Sequence, residues 1–152
     1  VEIIRITDIP AEVIWDEMKH FDRVLRWVPG GDESTISVKG KGVGAIRDIE
    51  LITQGYVQHE LVAYSEEDYC FSYKLTDGKP VGMQDYTVVA KITPIDRQKS
   101  EIKWSGKVTS DKRLNENDVA EALSTALNNM ITGLIALIKK EKPVFVDQPL
   151  ED

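Results

Sequence analysis

The stretch from Asn115 to Lys140 constrains the fold most strongly, because it has the pattern of one long amphipathic helix. Apolar residues recur there at helical spacing, and one face of the helix carries Val119, Leu123, Ala126, Leu127, Met130, Leu134 and Leu137. Asn115 can accept hydrogen bonds from the free N–H groups of the first turn, and Pro143 prevents the helix from continuing. A helix this long needs an apolar surface of similar length to cover it.

Most of the chain before this helix has the two-residue periodicity of β-strands. Alternation predicts strands at Ser34–Lys39, Val43–Ile52, Tyr56–Tyr64, Tyr69–Leu75, Gln84–Ile95 and Glu101–Thr109. Another strand is predicted at Glu2–Thr7, followed by a helix that begins at Pro10 and a second short helix at Asp22–Trp27. The economical fold is α+β, with a curved antiparallel sheet of seven strands wrapped around the long helix.

Size and charge restrict the class of protein. With 152 residues we expect one domain over residues 1–142 and a loose tail over 143–152. The net charge of −7 argues against nucleic acid and anionic lipid as partners, because a binder of phosphate groups needs a basic surface. The longest apolar run, Met130–Ile138, is much shorter than the ~20 residues of a membrane span, so we expect no span.

The ends of the chain and its cysteine content favour the cytoplasm. The N-terminus lacks the layout of a signal peptide, and Cys70 is the only cysteine, which excludes an internal disulfide. The chain begins at Val1 instead of Met, which is consistent with removal of preceding residues. We therefore expect a cytoplasmic protein, whereas the sequence leaves the oligomeric state open between a monomer and a weak homodimer.

Residues that could hold a metal or act as a nucleophile do not form a recognisable motif. His20, His59 and Cys70 lack the spacing of metal ligands, and Cys70 has no base beside it in the sequence. The glycine-rich segment 40–44 leads into a strand and not into a helix, which indicates a hairpin turn and not a phosphate-binding loop. No metal and no cofactor are expected.

A family resemblance extends over almost the whole chain, in Pro10–Trp15, Phe21–Asp22, Gly42–Asp48, Glu60–Leu61 and Tyr86 before a valine-rich strand. In these segments the chain resembles the Bet v 1-like helix-grip superfamily, also called START-like or SRPBCC. It is most similar to the polyketide cyclase/dehydrase branch, which includes the plant abscisic-acid receptors. The resemblance implies a helix-grip fold with an internal cavity for a hydrophobic ligand.

Two loops depart from the pattern of those receptors. Thr53–Tyr56 is too short and lacks the Ser-Gly-Leu-Pro of the receptor gate, and Pro80–Met83 lacks the His-Arg-Leu of the latch. The departures argue against a hormone receptor of that type.

Alternation also predicts which residues line the cavity. In the strand from Val43 the odd positions share the apolar face, and a hairpin tip at residues 53–55 places Leu51 opposite Val57 and Ile49 opposite His59. Small residues on the long helix leave volume unfilled on the facing side. The predicted ligand-binding residues are Arg47, Ile49, Leu51, Val57, His59, Leu61, Phe71, Tyr73, Tyr86, Val88, Trp104, Ala122, Ala126 and Met130.

Two of these residues are unusual for an apolar core. Arg47 cannot lose its charge, and its burial without a partner is costly. Either it reaches the rim or pairs with a structural carboxylate, or its partner is an acidic group of a ligand. His59, predicted diagonally opposite Arg47, either contacts the ligand or is a strand histidine satisfied by its surroundings.

The sequence thus favours a module that binds a small hydrophobic molecule, ring-containing or lipid-like and either neutral or acidic. The alternative is an enzyme of the polyketide cyclase/aromatase type that uses the same cavity, with His59, Tyr73 or Tyr86 moving a proton. A third possibility is a protein-interaction domain whose pocket is filled by its own aromatic side chains.

Overall fold

The structure is a computed structural model that describes residues 1–80, 83–110 and 115–147. The described strands are β1 (Glu2–Thr7), β2 (Thr35–Lys39), β3 (Ile46–Leu51), β4 (Gly55–Ser65), β5 (Cys70–Asp77), β6 (Met83–Pro94) and β7 (Ser100–Ser110). The α-helices are α1 (Ala11–Met18) and α2 (Glu116–Lys139), and 3-10 helices span Phe21–Arg26 and Gly31–Glu33. The second short helix predicted after β1 is therefore of the 3-10 type.

The strands form one antiparallel sheet in the order β1-β7-β6-β5-β4-β3-β2. Neighbours in the sheet are also neighbours in sequence, except that β1 returns to pair with β7. The sheet is curved and open, and α2 packs against it along its apolar face. The predicted helix-grip architecture is confirmed, including the short helices that follow β1.

The long helix begins and ends where the sequence indicates. The side chain of Asn115 accepts a hydrogen bond from the backbone N–H of Asn117 at 2.8 Å, and Lys140 ends α2 in a left-handed conformation with φ of 58°. Val119, Leu123, Leu127 and Leu134 are buried as expected, whereas Leu137 is 38% exposed. The last turns instead bury Gly133 and Ala136, because the contact line drifts around a straight helix.

Length and composition alone would allow α2 to span a membrane, but half of its most apolar window is buried within the protein. Its apolar face covers the core of the sheet, with Ile131 and Leu134 fully buried. The helix therefore has the role of a core helix in this fold.

At Gly133, α2 lies close to the backbone of Trp27. A Cβ atom there would lie 1.9 Å from the carbonyl oxygen of Trp27, which is buried beneath the helix. We expect Gly133→Ala to lower the free energy of unfolding by about 1–3 kcal/mol or more, because the backbone at Trp27 must move. Ala is otherwise the better helix former by about 1 kcal/mol, so a Gly133→Ala protein as stable as the parent in urea titration would contradict this contact.

Strand β3 begins three residues later than predicted, at Ile46 and not at Val43. The glycines at positions 40, 42 and 44 all have positive φ, which produces a loop and not a regular strand. Val43 is 61% exposed in this loop, so its predicted place on the apolar face is wrong.

The predicted register of the β3–β4 hairpin is also wrong, by two residues. Ile49 lies opposite Val57 and Leu51 opposite Gly55, so the turn is formed by residues 52–54. A shift of two preserves the face of every side chain, because successive residues of a strand alternate between faces. Its consequence is that Arg47 and His59 are direct cross-strand partners and not diagonal neighbours.

The C-terminal segment returns along α2. Asn129 is 3% exposed, and its side-chain amide donates to the carbonyl of Val146 at 2.8 Å and accepts from the N–H of Val146 at 2.9 Å. Val146 is thus hydrogen-bonded to α2, residues 148–152 lie outside the described part, and the loose tail over residues 143–152 stays a prediction. The domain limit at residue 142 stays a prediction.

Candidate functional site

A cavity of about 470 Å³ lies between the concave face of the sheet and α2. This volume is within the range of pockets that enclose small molecules, about 300–1,000 Å³. The predicted residues that line it are Arg47, Ile49, Leu51, Val57, His59, Tyr73, Tyr86, Ala126 and Met130.

The remaining predicted residues do not line this cavity. Leu61, Phe71, Val88, Trp104 and Ala122 are buried in the core. They share the concave face with the lining residues, but aromatic side chains fill the space beside them. The Phe71 ring lies 6.3 Å from that of Trp104 and 6.2 Å from that of Trp15. The cavity therefore occupies only one end of the concave face.

Several lining residues were not predicted, and all of them come from outside the regular strands. They are Val24, Leu25, Val28 and Pro29 after α1, Thr53 and Gln54 in the β3–β4 turn, Leu123, Leu127 and Asn129 on α2, and Phe145, Val146 and Asp147 in the C-terminal segment. Asn129 could have been recognised from the sequence, because a polar side chain on the buried side of a helix needs a hydrogen-bond partner.

Arg47 is the only charged residue buried in the described core, with 2% of its surface exposed. Its Nε donates to Nδ1 of His59 at 3.0 Å, and a terminal nitrogen donates to the carbonyl oxygen of Phe21 at 2.9 Å. The guanidinium carbon lies 4.1 Å from the centroid of the Phe21 ring and 4.7 Å from that of Tyr73, at cation–π distance.

All of these partners of Arg47 are neutral. Within residues 1–80, 83–110 and 115–147, Arg47 forms no ion pair with a carboxylate. Burial lowers the pKa of Arg47, but an arginine side chain retains its proton in proteins. In the described residues, the structure therefore supports neither a rim position for Arg47 nor a structural carboxylate partner.

The contact with Arg47 determines where His59 carries its proton. The Nε of arginine is always a donor, so Nδ1 of His59 must accept, and the neutral ring then carries its hydrogen on Nε2. Nε2 lies 2.5 Å from the hydroxyl oxygen of Tyr86 and donates to it. The three side chains form a relay with a fixed direction, from Arg47 through His59 to Tyr86.

The surroundings keep the side chains of His59, Tyr73 and Tyr86 uncharged. Burial, followed by the charge of Arg47, holds the pKa of His59 well below its usual value. Burial also raises the pKa of Tyr73 and of Tyr86, so both hydroxyls stay protonated at neutral pH. At the opposite face of the sheet, burial raises the pKa of the Cys70 thiol, so it is not an activated nucleophile.

The buried state of His59 predicts a pH-dependent stability. Below pH 6.5 the unfolded chain protonates His59, whereas the folded protein does not, because its pKa is lowered. The stability present above pH 6.5 is therefore lost on acidification, by about 1.4 kcal/mol per pH unit. Urea titrations between about pH 7 and pH 5 measure this slope.

His59→Gln provides the control for that measurement. Glutamine offers a carbonyl acceptor for Arg47 and an N–H donor for Tyr86 but does not titrate. The slope between about pH 6.5 and pH 5 should be smaller in the variant. Equal slopes in both proteins would show that His59 is not the group responsible.

Several proteins of known structure are similar to this chain in fold. An uncharacterised Bacillus thuringiensis protein of known structure is similar, with a TM-score of 0.76 at 14% identity, covering 91% of this chain and 98% of its own. A protein from Nitrosospira multiformis has a TM-score of 0.73 at 24% identity, and the match covers 91% of this chain and 94% of that protein. Norcoclaurine synthase from Thalictrum flavum, in complex with dopamine and hydroxybenzaldehyde, has a TM-score of 0.70 at 16% identity. The match covers 95% of this chain and 88% of the synthase.

At these levels of identity the structural similarities establish the fold alone. No curated protein matched the sequence itself. A family model described as polyketide cyclase / dehydrase and lipid transport matches residues 1–140, which includes every strand and both α-helices. This chain therefore belongs to the polyketide cyclase / dehydrase and lipid transport family.

Proposed function

We propose that the protein binds one small hydrophobic molecule, ring-containing or lipid-like, in the cavity between the sheet and α2, and that Arg47 holds an acidic group of this ligand. The observation that carries the proposal is a buried cation with only neutral described partners at the wall of an otherwise largely apolar cavity.

The apolar part of the proposal rests on the other lining residues. Ile49, Val57, Leu127 and Met130 surround the cavity with aliphatic groups that a ring or alkyl chain can contact. Removal of apolar ligand surface from water contributes roughly 25 cal/mol per Å². The structure of norcoclaurine synthase with dopamine and hydroxybenzaldehyde supports a ring-containing ligand, because that similarly folded protein holds two such molecules.

The proposal that the ligand carries an acidic group rests on electrostatics. Two aromatic faces, a carbonyl and an imidazole offset part of the desolvation of Arg47, but they do not neutralise its charge. A carboxylate bound in the cavity would supply the missing charge and accept hydrogen bonds from the guanidinium. A lipid-like acid and an aromatic acid both satisfy this requirement.

The test compares a carboxy-substituted naphthalene with its methyl ester by titration calorimetry. We expect both to bind with a stoichiometry near one, and the acid to bind more tightly because only it carries a charge opposite to that of Arg47. Absence of binding by either compound would overturn the cavity proposal, and tighter binding of the ester would overturn the role of Arg47.

The alternative function, proton transfer in a polyketide cyclase, is less well supported by this site. A general base must be able to accept a proton, but Nδ1 of His59 accepts from Arg47, and Nε2 already carries hydrogen. The raised pKa of Tyr86 makes it a poor acid. We therefore favour binding, and the expected absence of nucleic-acid partners, the cytoplasmic location and the monomeric or weakly dimeric state remain predictions.

A further inference from the structure

We propose that the ligand bears a carbonyl or carboxylate oxygen that accepts a hydrogen bond from the hydroxyl of Tyr86, and that the relay from Arg47 through His59 selects for this acceptor. This inference rests on the proposed function, since it names the chemistry of a molecule in the same cavity. It adds a second polar contact, at a residue distinct from the arginine.

The direction of the relay leaves the Tyr86 proton without an acceptor in the part of the chain that the structure describes. The hydroxyl oxygen of Tyr86 receives the Nε2 hydrogen of His59, so its own hydrogen must be donated elsewhere. Among the described residues, the Tyr86 hydroxyl has no hydrogen-bond partner other than His59. Tyr86 is only 8% exposed and lines the cavity. A molecule inside the cavity is therefore the natural acceptor for this hydrogen.

The same relay disfavours a ligand donor at this position. The guanidinium of Arg47 presents only N–H groups, and the Tyr86 oxygen already accepts from His59. An amine or other donor placed here would face the hydrogens of Arg47 and would have to share the Tyr86 oxygen with His59. This polar end of the cavity thus offers donors, and it matches an sp² oxygen.

The relay also explains why the proton on Tyr86 stays in place. If His59 could accept from Tyr86, the tyrosine would turn its hydrogen towards the ring and present an oxygen to the ligand. Arg47 prevents this arrangement, because its Nε–H occupies Nδ1 and leaves Nε2 as the protonated nitrogen. Arg47 is in this respect a positioning residue for Tyr86, separate from its charge.

The experiment uses three naphthalenes that share one ring system and differ in one substituent, which is acetyl, carboxy or ethyl. Affinities are measured with the parent protein, Tyr86→Phe and His59→Gln. In Tyr86→Phe we expect the acetyl compound to bind about 5- to 10-fold more weakly than to the parent. The affinity of the carboxy compound should fall by at least the same factor. The ethyl compound, which cannot accept a hydrogen bond, should bind equally to the parent and Tyr86→Phe.

A second readout reports the hydrogen bond itself. The carbonyl stretching frequency of the bound acetyl compound should be lower in the parent than in Tyr86→Phe, because hydrogen bonding weakens the C=O bond. His59→Gln should retain the lowered frequency, since glutamine preserves the direction of the relay.

The outcomes separate this inference from the proposed function. If none of the three compounds binds to the parent, the proposed function fails. If all three bind and Tyr86→Phe changes neither the acetyl affinity nor the carbonyl frequency, only the role of Tyr86 is overturned. If Tyr86→Phe weakens the ethyl compound as much as the acetyl compound, the phenylalanine disturbs the cavity. In that case an unchanged carbonyl frequency would reject the hydrogen bond.

The carboxy and acetyl compounds also distinguish the two sources of the acceptor oxygen. In Arg47→Met the carboxy compound should lose the most affinity, because it loses the opposite charge, and the acetyl compound should lose less, because only the direction of the Tyr86 hydrogen is released. A carboxy compound insensitive to Tyr86→Phe would overturn a shared site for both oxygens.

Discussion

Replacement of Arg47 with Met is expected to weaken the binding of a carboxylated aromatic ligand by about 2–5 kcal/mol, which is roughly 30- to several-thousand-fold in the dissociation constant. The reason is that the ligand carboxylate would leave water for a cavity that no longer contains a cation. The methyl ester of the same ligand should lose much less affinity. Calorimetric titration of both compounds measures the difference.

The empty Arg47→Met protein should be about as stable as the parent or more stable. The substitution removes a buried charge that has no carboxylate partner among the described residues, which is favourable. It also leaves Nδ1 of His59 and the carbonyl of Phe21 without their donor, which is unfavourable by about 1–3 kcal/mol for each group. We expect these effects largely to offset one another in urea titrations.

Arg97→Met is the matched control, because Arg97 is an exposed arginine in the turn between β6 and β7. It removes the same charge from the protein without altering the cavity, so acid binding should be unchanged. A marked loss of stability in empty Arg47→Met with unchanged affinity for the acid would show that Arg47 is structural and not an anchor for the ligand.

Ala126→Phe is expected to abolish the binding of both the acid and the ester while the protein remains folded. Ala126 lines the cavity from α2, and its side chain is small enough to leave space for the ligand. A phenyl ring there would occupy part of the roughly 470 Å³ that the ligand requires. The ring would also fill empty space, so the stability of the variant should stay near that of the parent.

Ala63→Phe supplies the comparison for this prediction, since Ala63 is an exposed residue of β4 outside the cavity. It introduces the same ring without filling the ligand site. Binding should survive in Ala63→Phe and disappear in Ala126→Phe. Full binding by Ala126→Phe would place the ligand somewhere else.

The parts of the fold that could be predicted from the sequence are those governed by short-range periodicity. The apolar positions of α2 repeat at helical spacing over many turns, and the alternating strands before it supply an extended sheet that can cover a helix of that length. Within the strands, alternation placed Arg47, His59 and Tyr73 on one face correctly, because the face of a residue does not depend on the exact register.

The register itself depends on the turn, which alternation does not describe. Gly55 was assigned to the hairpin tip, but it has φ of 79° and already pairs with Leu51 across the strands. A three-residue turn followed by a glycine in the left-handed region is a common hairpin, and recognising it would have placed His59 directly opposite Arg47. The short contact between them, and the relay that follows from it, was therefore missed.

The extent of the cavity could not be predicted because it depends on how side chains distant in sequence fill the concave face. Phe71 and Trp104 have the same pattern as Tyr73 and Tyr86, yet they pack with Trp15 and Trp27 and close one end. The C-terminal segment was missed for a related reason. The side chain of Asn129 is hydrogen-bonded to this segment, and its partner Val146 lies in a stretch without regular periodicity.

Intermolecular nuclear Overhauser effects between the bound acetylnaphthalene and the methyl groups of the protein show whether the ligand lies inside the cavity. We expect contacts from the ring protons to the methyl groups of Ala126 and Met130, both of which line the cavity. These contacts should disappear from the Ala126→Phe spectrum. Contacts instead to Ile4 and Ile6, which are 52% and 56% exposed on the outer side of β1, would show that the compound binds on the surface and would contradict an internal ligand site.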